Sequence, residues 1–242
     1  GFNTTADYYE VLANAPRRLE REGPLLREII APGPGRRVLD MACGTGLHAL
    51  FLAEAGAEVG AADLSPEMVA HARHHRPHRR IHYRLGDMRN VEGGPFAGEI
   101  CLGNSLSLVT DAEGLASVFR SASAALEAGG ALLTQTLNYE HPAAQEARHR
   151  VECAESNGAR ITAVKSLVPR GAHTYLSLSF YSDDGASVRA VAEATVLRNW
   201  TRDDLVRAAS RAELGVKAAY GGFDKSPYDP DRSPDLILVL VR

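Results

Sequence analysis

Two carboxylates frame the part of this sequence that is best suited to chemistry. Asp40 closes one apolar run and precedes the glycine-rich segment Gly44-Thr45-Gly46, and the next apolar run ends in Asp63. Small residues let the backbone approach a ligand closely where a strand turns into a helix. An acid at the end of the following strand can accept hydrogen bonds from ribose hydroxyls. The pattern therefore indicates a pocket for a ligand that carries a ribose.

The charge ahead of the glycine loop separates two classes of ligand. Gly44, Gly46 and Ala49 also fit the G-x-G-x-x-A pattern of dinucleotide-binding folds. A dinucleotide places a pyrophosphate at this helix N-terminus, where Asp40 would repel it. S-adenosylmethionine has no phosphate and carries a sulfonium and an ammonium, which a carboxylate attracts. The pattern therefore favours S-adenosylmethionine and a methyltransferase, with an NAD-dependent Rossmann oxidoreductase or a non-catalytic S-adenosylmethionine-binding protein as alternatives.

Further candidate ligand contacts follow the later apolar runs. Asp87 could accept a hydrogen bond from an adenine amino group, and Met88 could pack against the base. Asn104 ends the fourth apolar run, where a buried amide needs a partner. The candidate cofactor surface also includes residues beside these positions: Ala42, Leu64, Met68 and Leu106.

Strands that alternate with helices must position these residues. The alternation predicts an α/β fold, namely a Rossmann-like, doubly wound, mostly parallel seven-stranded sheet with right-handed crossovers. The predicted strands are 36–41, 57–62, 80–85, 99–102, 131–137, 216–220 and 236–241, and the predicted helices are 46–55, one from Ser65 towards Pro77, 112–125 and 201–212.

Two segments depart from this alternation. Residues 1–35 predict an N-terminal helical lid that is broken at Pro16, with a second helical piece over 17–30. After Asn138 we predict a short helix over 142–150 and then antiparallel strands at 160–168, 173–181 and 187–199. Residues 36–137 and 200–242 would form the cofactor-binding core. Residues 138–199 would form an antiparallel, β-rich insertion on the substrate side, between the fifth strand and the last helix.

Composition excludes several classes of function. The net charge of −3 gives no reason to expect a nucleic-acid or acidic-membrane partner. Cys43, Cys101 and Cys153 form neither a disulfide framework nor a metal-binding motif, so we expect a cytoplasmic location and no metal. The His-rich and Arg-rich segment 71–80 is interpreted as a helix C-terminus, because its cations complement the helix dipole.

Three motifs carry a resemblance to a known family. The segments 38–46, 100–106 and Asn138-Tyr139 resemble class I S-adenosylmethionine-dependent methyltransferases, most closely the glycine N-methyltransferase and glycine/sarcosine methyltransferase group. The resemblance extends to the segment 221–228 but not to the insertion. It implies that Arg18 holds the carboxylate of the donor, and that Tyr9 or Tyr8 approaches the methyl group. It also implies that Asn104 lines the donor and that Asn138 and Tyr139 face the acceptor.

The chemistry limits what the protein must supply. Methyl transfer is an in-line displacement, so the protein mainly holds donor and acceptor in line and excludes water. An amine needs only to lose its proton, whereas a hydroxyl or carboxyl needs a base, so N-methylation is favoured over O-methylation. No catalytic base is assigned, and the candidates above the pocket are Tyr139, His141, Tyr175, Tyr181 and His173.

The acceptor is expected to be a small molecule, but its identity stays open. Glycine is one alternative, and an amino sugar or a natural-product intermediate is another. The sequence also leaves open whether the protein is a monomer or a homo-oligomer. A glycine-like acceptor would need a cation for its carboxylate, and the arginines that could serve are Arg148, Arg150, Arg160, Arg170, Arg189 and Arg198.

Overall fold

The computed structural model describes residues 6–156 and 158–242. Six helices and eleven strands are described in these residues. The helices are α1 (Ala6–Ala13), α2 (Ala15–Ile30), α3 (Leu47–Glu54), α4 (Pro66–His75), α5 (Ala112–Ala125) and α6 (Arg202–Arg211). The strands are β1 (Arg37–Asp40), β2 (Glu58–Asp63), β3 (Ile81–Leu85), β4 (Phe96–Cys101), β5 (Leu126–Leu137), β6 (Arg148–Ser156), β7 (Ala159–Arg170), β8 (His173–Asp183), β9 (Val188–Arg198), β10 (Gly215–Tyr220) and β11 (Asp235–Val241).

Seven of the strands form one twisted sheet in the order β10-β11-β5-β4-β1-β2-β3. The strands β3, β2, β1, β4 and β5 pair in parallel, and β11 runs antiparallel to both β5 and β10. The predicted Rossmann-like, mostly parallel seven-stranded sheet is confirmed. Because the strand order reverses between β1 and β4, their carboxyl ends open a crevice in which α/β folds bind ligands.

Helices cover both faces of this sheet. On one face α2, α3 and α4 bury residues such as Leu26, Leu52 and Val69 in a common core. On the other face α5 and α6 bury a second core that includes Phe119 and Leu205. The burial of α5 at i, i+3 and i+4 spacing explains why its predicted bounds are reproduced.

Side-chain caps set where the helices begin. The Ser65 hydroxyl accepts a hydrogen bond from the Met68 amide at the start of α4, as the sequence predicts. Thr201 and Asp204 form a reciprocal capping box at the start of α6. The loops that precede these helices are thereby fixed against the sheet.

The lid helices break two residues earlier than predicted. Asn14 adopts a left-handed conformation (φ 43°) between α1 and α2, and Pro16 lies in the first turn of α2. Proline is tolerated in a first turn, where its missing N–H has no helical partner, and asparagine adopts φ > 0 more readily than most residues. The predicted break at Pro16 is therefore wrong by two positions.

The insertion contains one more strand than predicted. Residues 142–145 form a short 3-10 helix, and β6 occupies the place where the sequence predicted the rest of a helix over 142–150. β6 pairs with β7 from Arg148↔Leu167 to Ser156↔Ala159. Its own residues are mostly exposed and polar, so pairing with β7, rather than an apolar pattern, decides its conformation.

The four strands β6-β7-β8-β9 form a separate antiparallel sheet in sequence order. One face of this sheet packs against α1, where Leu12 joins a small core with Leu176, Phe180 and Leu197. Tyr8 of α1 also stacks on Phe180, with ring centroids 5.7 Å apart. The lid helix therefore lies between the insertion and the crevice of the large sheet.

None of the helices in the described residues is both long and apolar enough to cross a bilayer.

Candidate active site

One cavity of about 1150 Å³ lies where the crevice of the large sheet meets the inward face of the insertion. Loops after β1, β2, β3 and β4 form one wall, the insertion forms the opposite wall, and α1 and α2 contribute to both. Ten predicted cofactor residues line this cavity, namely Tyr9, Arg18, Ala42, Gly44, Asp63, Leu64, Met68, Asp87, Met88 and Asn104.

Asp63 joins two of the ligand loops. One carboxylate oxygen accepts a hydrogen bond from the Gly44 amide (2.8 Å), and the other accepts one from the Ser65 amide (2.9 Å). Burial raises the pKa of Asp63, although these backbone donors favour the ionised form. Each oxygen keeps a lone pair, so the carboxylate could still accept hydrogen bonds from vicinal hydroxyls.

The two glycines of the loop serve different purposes. Gly46 has φ +85°, and a Cβ there would lie 2.6 Å from the Tyr83 hydroxyl, so packing excludes a side chain. Gly44 has φ +52°, and nothing lies within 4 Å of the position of its Cβ. Gly46 is absent from the cavity lining, and its lack of a side chain allows the start of α3 to pack against Tyr83 and Ala72. Gly44 lines the cavity and leaves open space at its wall.

Asp40 lies behind the cavity wall. Its side chain is 2% exposed, and the lining beside it is formed by residues 41–45. Burial, with a smaller contribution from the nearby charge of Asp63, raises the pKa of Asp40 to about 7 against the opposing effects of the Ala42 amide and Arg18. One carboxylate oxygen, Oδ2, has no hydrogen-bond partner in the described residues. A buried acceptor of this kind favours a cationic or hydrogen-bond-donating ligand over an anion.

Arg18 belongs to a buried charge network at the base of α2. Its Nε donates to both carboxylate oxygens of Glu22 (3.0 and 3.2 Å), and Arg21 and His48 contact the same carboxylate at 2.8 and 2.6 Å. Glu22 is 1% exposed, and these partners lower its pKa to about 2 against the opposing effect of burial. The Nη2 atom of Arg18 lies 3.2 Å from the position that a Cβ on Gly103 would occupy, so the guanidinium lies close to this glycine. The network holds the guanidinium at the cavity.

Asn104 is engaged by the protein itself. It has φ 67°, its amide nitrogen donates to the Tyr139 hydroxyl (2.8 Å), and its amide oxygen accepts from the Leu137 amide and the Ser107 hydroxyl. The sequence predicted that this buried amide needs a partner, and its partners are residues of the loops after β4 and β5. Asn104 therefore holds the two loops together while its backbone lines the cavity.

Asp87 and Met88 follow β3 and reach the cavity as predicted. The Asp87 carboxylate is bound by the Arg89 guanidinium, whose Nη2 lies 2.6 Å from Oδ2, and this partner lowers its pKa. Met88 lies 3.9 Å from the Cys101 sulfur, measured between the two sulfur atoms, and is partly buried. Asp87 can accept from an amino group only with the lone pairs that Arg89 leaves.

The residues proposed for the acceptor lie outside the lining. The Asn138 amide donates to the carbonyls of Pro230 and Ser233 and accepts from the Tyr228 hydroxyl (2.8 Å), which ties β5 to the last loop. Tyr139 is 4% exposed, and burial raises its pKa. Both residues support the wall and are absent from its lining, so their predicted place beside the acceptor stays a prediction.

The candidate bases also lie away from the cavity. His141 uses Nδ1 to accept a hydrogen bond from the Ala143 amide at the start of the 3-10 helix. Tyr175 is 50% and Tyr181 is 44% exposed. Both alternate along β8 with the buried Leu176 and Phe180, so they point to the outer face. His173 and Leu106 are also absent from the lining. Tyr139, His141 and Tyr175 thus lie outside the cavity lining, and a catalytic role for any of them stays a prediction.

Several lining or supporting residues were not predicted. Glu22 holds Arg18, and Arg76 ties the lid by donating to both Glu10 oxygens (2.8 and 2.9 Å) and to the Thr45 carbonyl (2.7 Å). The Gln135 side chain donates to the Asp235 carboxylate and accepts a hydrogen bond from the backbone N–H of Asn104. Of these residues, only Glu22 could have been found from the sequence. It lies four residues after Arg18, and an acid and a base at i, i+4 can pair on one helix face.

The acceptor wall consists of the inward face of the insertion. Its lining residues are Leu167, Leu176, Leu178 and Leu197, together with the charged side chains Arg150, Glu152 and Lys165. The Arg150 Nε donates to Glu152 Oε1 at 2.6 Å. This wall combines an apolar surface with a charged end. Of the six arginines that the sequence offered for an acceptor carboxylate, Arg150 is the one found among the described lining residues.

Comparison with known proteins identifies the core. A family model described as a methyltransferase domain matches residues 38–130. Residues 38–130 are therefore similar to a methyltransferase domain. The predicted recognition of this chain as a class I methyltransferase is confirmed at the level of this domain and of the fold.

Two curated relatives match different extents of the chain. Rabbit (Oryctolagus cuniculus) glycine N-methyltransferase is 35% identical over 124 residues, which cover 44% of this chain and 42% of that enzyme. The chain thus spans less than half of that relative. The dTDP-3-amino-3,4,6-trideoxy-alpha-D-glucopyranose N,N-dimethyltransferase of Streptomyces venezuelae is 25% identical over 187 residues, which cover 76% of this chain and 78% of that enzyme.

Solved structures extend the likeness beyond the methyltransferase domain to nearly the whole chain. DesVI of Streptomyces venezuelae superposes with a TM-score of 0.80 at 22% identity, over 98% of this chain and 97% of that one. CalS10, described as an amino pentose methyltransferase of Micromonospora echinaspora with S-adenosylmethionine bound, gives 0.72 at 23% identity, over 91% and 89%. These matches show that this chain shares its fold, with the insertion included, with the two solved structures.

Proposed function

We propose that this chain is an S-adenosylmethionine-dependent methyltransferase that methylates an amine nitrogen of a small molecule. The observation that carries the proposal is one shared cavity, which has the glycine loop and Asp63 on one wall and the inward face of the insertion on the other. A two-substrate reaction needs two such walls facing one space, because donor and acceptor must meet in line.

The residues of the first wall fit S-adenosylmethionine. Asp63 offers lone pairs to ribose hydroxyls, Gly44 leaves room beside the backbone, and Arg18 offers a cation for the amino-acid carboxylate. Behind the wall, the unpartnered oxygen of Asp40 favours the positive charge of the ligand. When bound, S-adenosylmethionine supplies a methyl group that its sulfonium already activates.

The chain then contributes positioning and exclusion of water. The helix α1 is held by contacts to both neighbouring parts of the molecule, since Glu10 pairs with Arg76 of the core and Tyr8 stacks on Phe180 of the insertion. Arg76 also binds the Thr45 carbonyl of the glycine loop, so the lid and the donor wall share one anchor. A closed lid keeps water from the reacting atoms.

The position of the predicted bases supports an amine acceptor. None of the five candidate bases lines the cavity, and a neutral amine needs no base in the transfer step. Three of the four reported relatives and structures are described as methylating glycine or amino sugars. Since the sugar N,N-dimethyltransferase also matches the insertion, an amino-sugar-like acceptor is better supported than glycine.

Calorimetric titration with S-adenosylhomocysteine tests the donor side, and we expect binding in the micromolar range. Failure to bind at millimolar concentration would contradict the proposal, and binding of NADH instead would favour the oxidoreductase alternative. Transfer of a radiolabelled methyl group to glycine, sarcosine and amino sugars then tests the acceptor side. Donor binding without transfer to any amine would favour a non-catalytic binding protein. The predicted cytoplasmic location and the absence of a nucleic-acid partner stay predictions.

A further inference from the structure

A lysine lies on the acceptor wall between two strands that give it no negative partner. Lys165 is on the inward face of β7, beside Arg150 of β6 and Leu178 of β8 in the strand register, and it lines the cavity. In the described residues, no carboxylate forms an ion pair with its ammonium. Burial lowers the pKa of Lys165, and the positive charges of Arg150, Arg18 and Arg148 lower it further.

Two carboxylates that line the same cavity are already engaged by other cations. The Glu152 carboxylate is bound by Arg150 at 2.6 Å, and the Glu22 carboxylate is bound by Arg18, Arg21 and His48. Like charges at paired positions of neighbouring strands destabilise a sheet, and a partly buried cation without a partner adds a desolvation cost. Both costs fall if an anion from a ligand lies beside the ammonium.

The donor does not account for this cation. Its carboxylate is assigned to Arg18 on α2, whereas Lys165 and Arg150 project from the insertion on the opposite wall. Leu167 lies two residues from Lys165 on the same face of β7, and its register partner Leu176 also lines the cavity. The acceptor wall thus offers a cation next to an apolar surface.

We propose that Lys165 is the specificity-determining residue that binds an anionic group of the methyl acceptor, with Arg150 in support. The inference rests on the proposed function and deepens it, because it makes the acceptor an amine that also carries a carboxylate or a diphosphate. The ammonium binds such an anion as a point charge with three donors. The apolar part of the acceptor packs on the neighbouring leucines.

The test uses protein saturated with S-adenosylhomocysteine, so that the donor carboxylate already occupies its own site. Acetate and inorganic pyrophosphate are titrated separately by calorimetry into the wild type, Lys165→Met, Lys165→Arg and Lys217→Met. Lys217 is an exposed lysine of β10 outside the cavity lining and provides the matched control. The two probes distinguish a carboxylate-bearing from a diphosphate-bearing acceptor.

We expect Lys165→Met to weaken binding of the favoured anion by about tenfold or more, the usual effect of losing one charged hydrogen-bond partner. Lys165→Arg is expected to restore most of the affinity, and Lys217→Met to match the wild type. The affinity for S-adenosylhomocysteine should be the same in all four proteins, which also shows that each variant is folded.

Three results would overturn the inference. They are equal anion affinity in Lys165→Met and the wild type, no anion binding by the saturated wild type, and anion binding that disappears once S-adenosylhomocysteine is present. Failure of the wild type to bind S-adenosylhomocysteine would instead contradict the proposed function. With an active amine, the inference further requires that Lys165→Met raise KM for anionic acceptors while kcat stays within about threefold. A fall in kcat alone would contradict it.

Discussion

The two walls of the cavity are built in different ways. On the donor wall, Asp63 and Asn104 have backbone or side-chain partners from the protein, so the loops are fixed before any ligand arrives. On the acceptor wall, the side chains stand on one face of a four-stranded sheet, and Lys165 has no carboxylate partner in the described residues. The comparison suggests that the first wall is preorganised for one cofactor, while the second can be altered residue by residue to suit an acceptor.

The largest effect is expected when hydrogen bonds that fix the donor wall are weakened. Asp63→Asn replaces a carboxylate that accepts from Gly44 and Ser65, and we expect the Kd for S-adenosylhomocysteine to rise about 30- to 100-fold, or roughly 2–3 kcal/mol, by calorimetry. Asp183→Asn is the matched control, because Asp183 accepts the Gly185 amide in an exposed hairpin of the insertion. A change below threefold at Asp63 would mean that the donor wall is not preorganised by this residue.

Asp40 tests whether the donor wall trades stability for binding. Its pKa is raised from 3.8 to about 7, so the folded state holds a proton more tightly than the unfolded state, and stability is lost as the pH rises from about 4 to 7. We expect Asp40→Asn to raise the free energy of unfolding by about 1–3 kcal/mol at pH 8 and by much less at pH 5.

Urea unfolding at the two pH values measures the stability difference for Asp40→Asn, and calorimetry measures the donor affinity. We expect donor binding to weaken in the variant, because the carboxylate that favours a cationic ligand is lost. If Asp40→Asn instead lowered the free energy of unfolding at pH 8, the prediction would be wrong. The ionised Asp40 carboxylate would then be stabilised by its surroundings in the folded protein.

Glu22 tests how the helix α2 contributes to the donor wall. Glu22→Gln removes the charge that holds Arg18, so we expect about tenfold weaker binding of S-adenosylhomocysteine. Binding of 5′-methylthioadenosine, which lacks the amino-acid part, should be unchanged. Glu54→Gln, at the exposed end of α3, serves as the control. Equal weakening of both ligands would contradict a positioning role specific to the carboxylate.

The same substitution has a defined pH dependence. The pKa of Glu22 is lowered from 4.5 to about 2, so its ionised form stabilises the fold above about pH 4.5, and this contribution is lost as the pH falls through 2. The stability difference between the wild type and Glu22→Gln should therefore shrink on acidification.

The smallest effect is expected at the tyrosines first considered as bases. Tyr139→Phe removes the hydroxyl that accepts from Asn104, and we expect a loss of about 1 kcal/mol in stability and less than a threefold change in kcat. Tyr175→Phe, on the exposed face of the insertion, should change neither quantity measurably. A loss of kcat above about 30-fold in either variant, by methyl-transfer assay, would restore that tyrosine as a catalytic candidate.

Local signals in the sequence predicted much of the core. The capping residues Ser65 and Thr201 and the bounds of α5 follow from short-range patterns, and the structure reproduces them. The strand β6 could not be predicted in this way, because its exposed and charged residues form a strand only through pairing with β7. The break at Asn14 was misplaced because proline is compatible with a first helical turn.

The sequence by itself determined the donor half of the site. Its predicted loop residues follow apolar runs, and the carboxyl ends of parallel strands meet at one edge of the sheet, so order along the chain fixes their proximity. Tyr9 and Arg18 lie on helices and were predicted only through the family resemblance. Only the tertiary structure decided the acceptor half. Arg150 and Lys165 become neighbours through the register of β6 and β7, and Tyr175 points outward while Leu176 points inward through the position of the sheet over the crevice. A shift of one residue in register would exchange these faces.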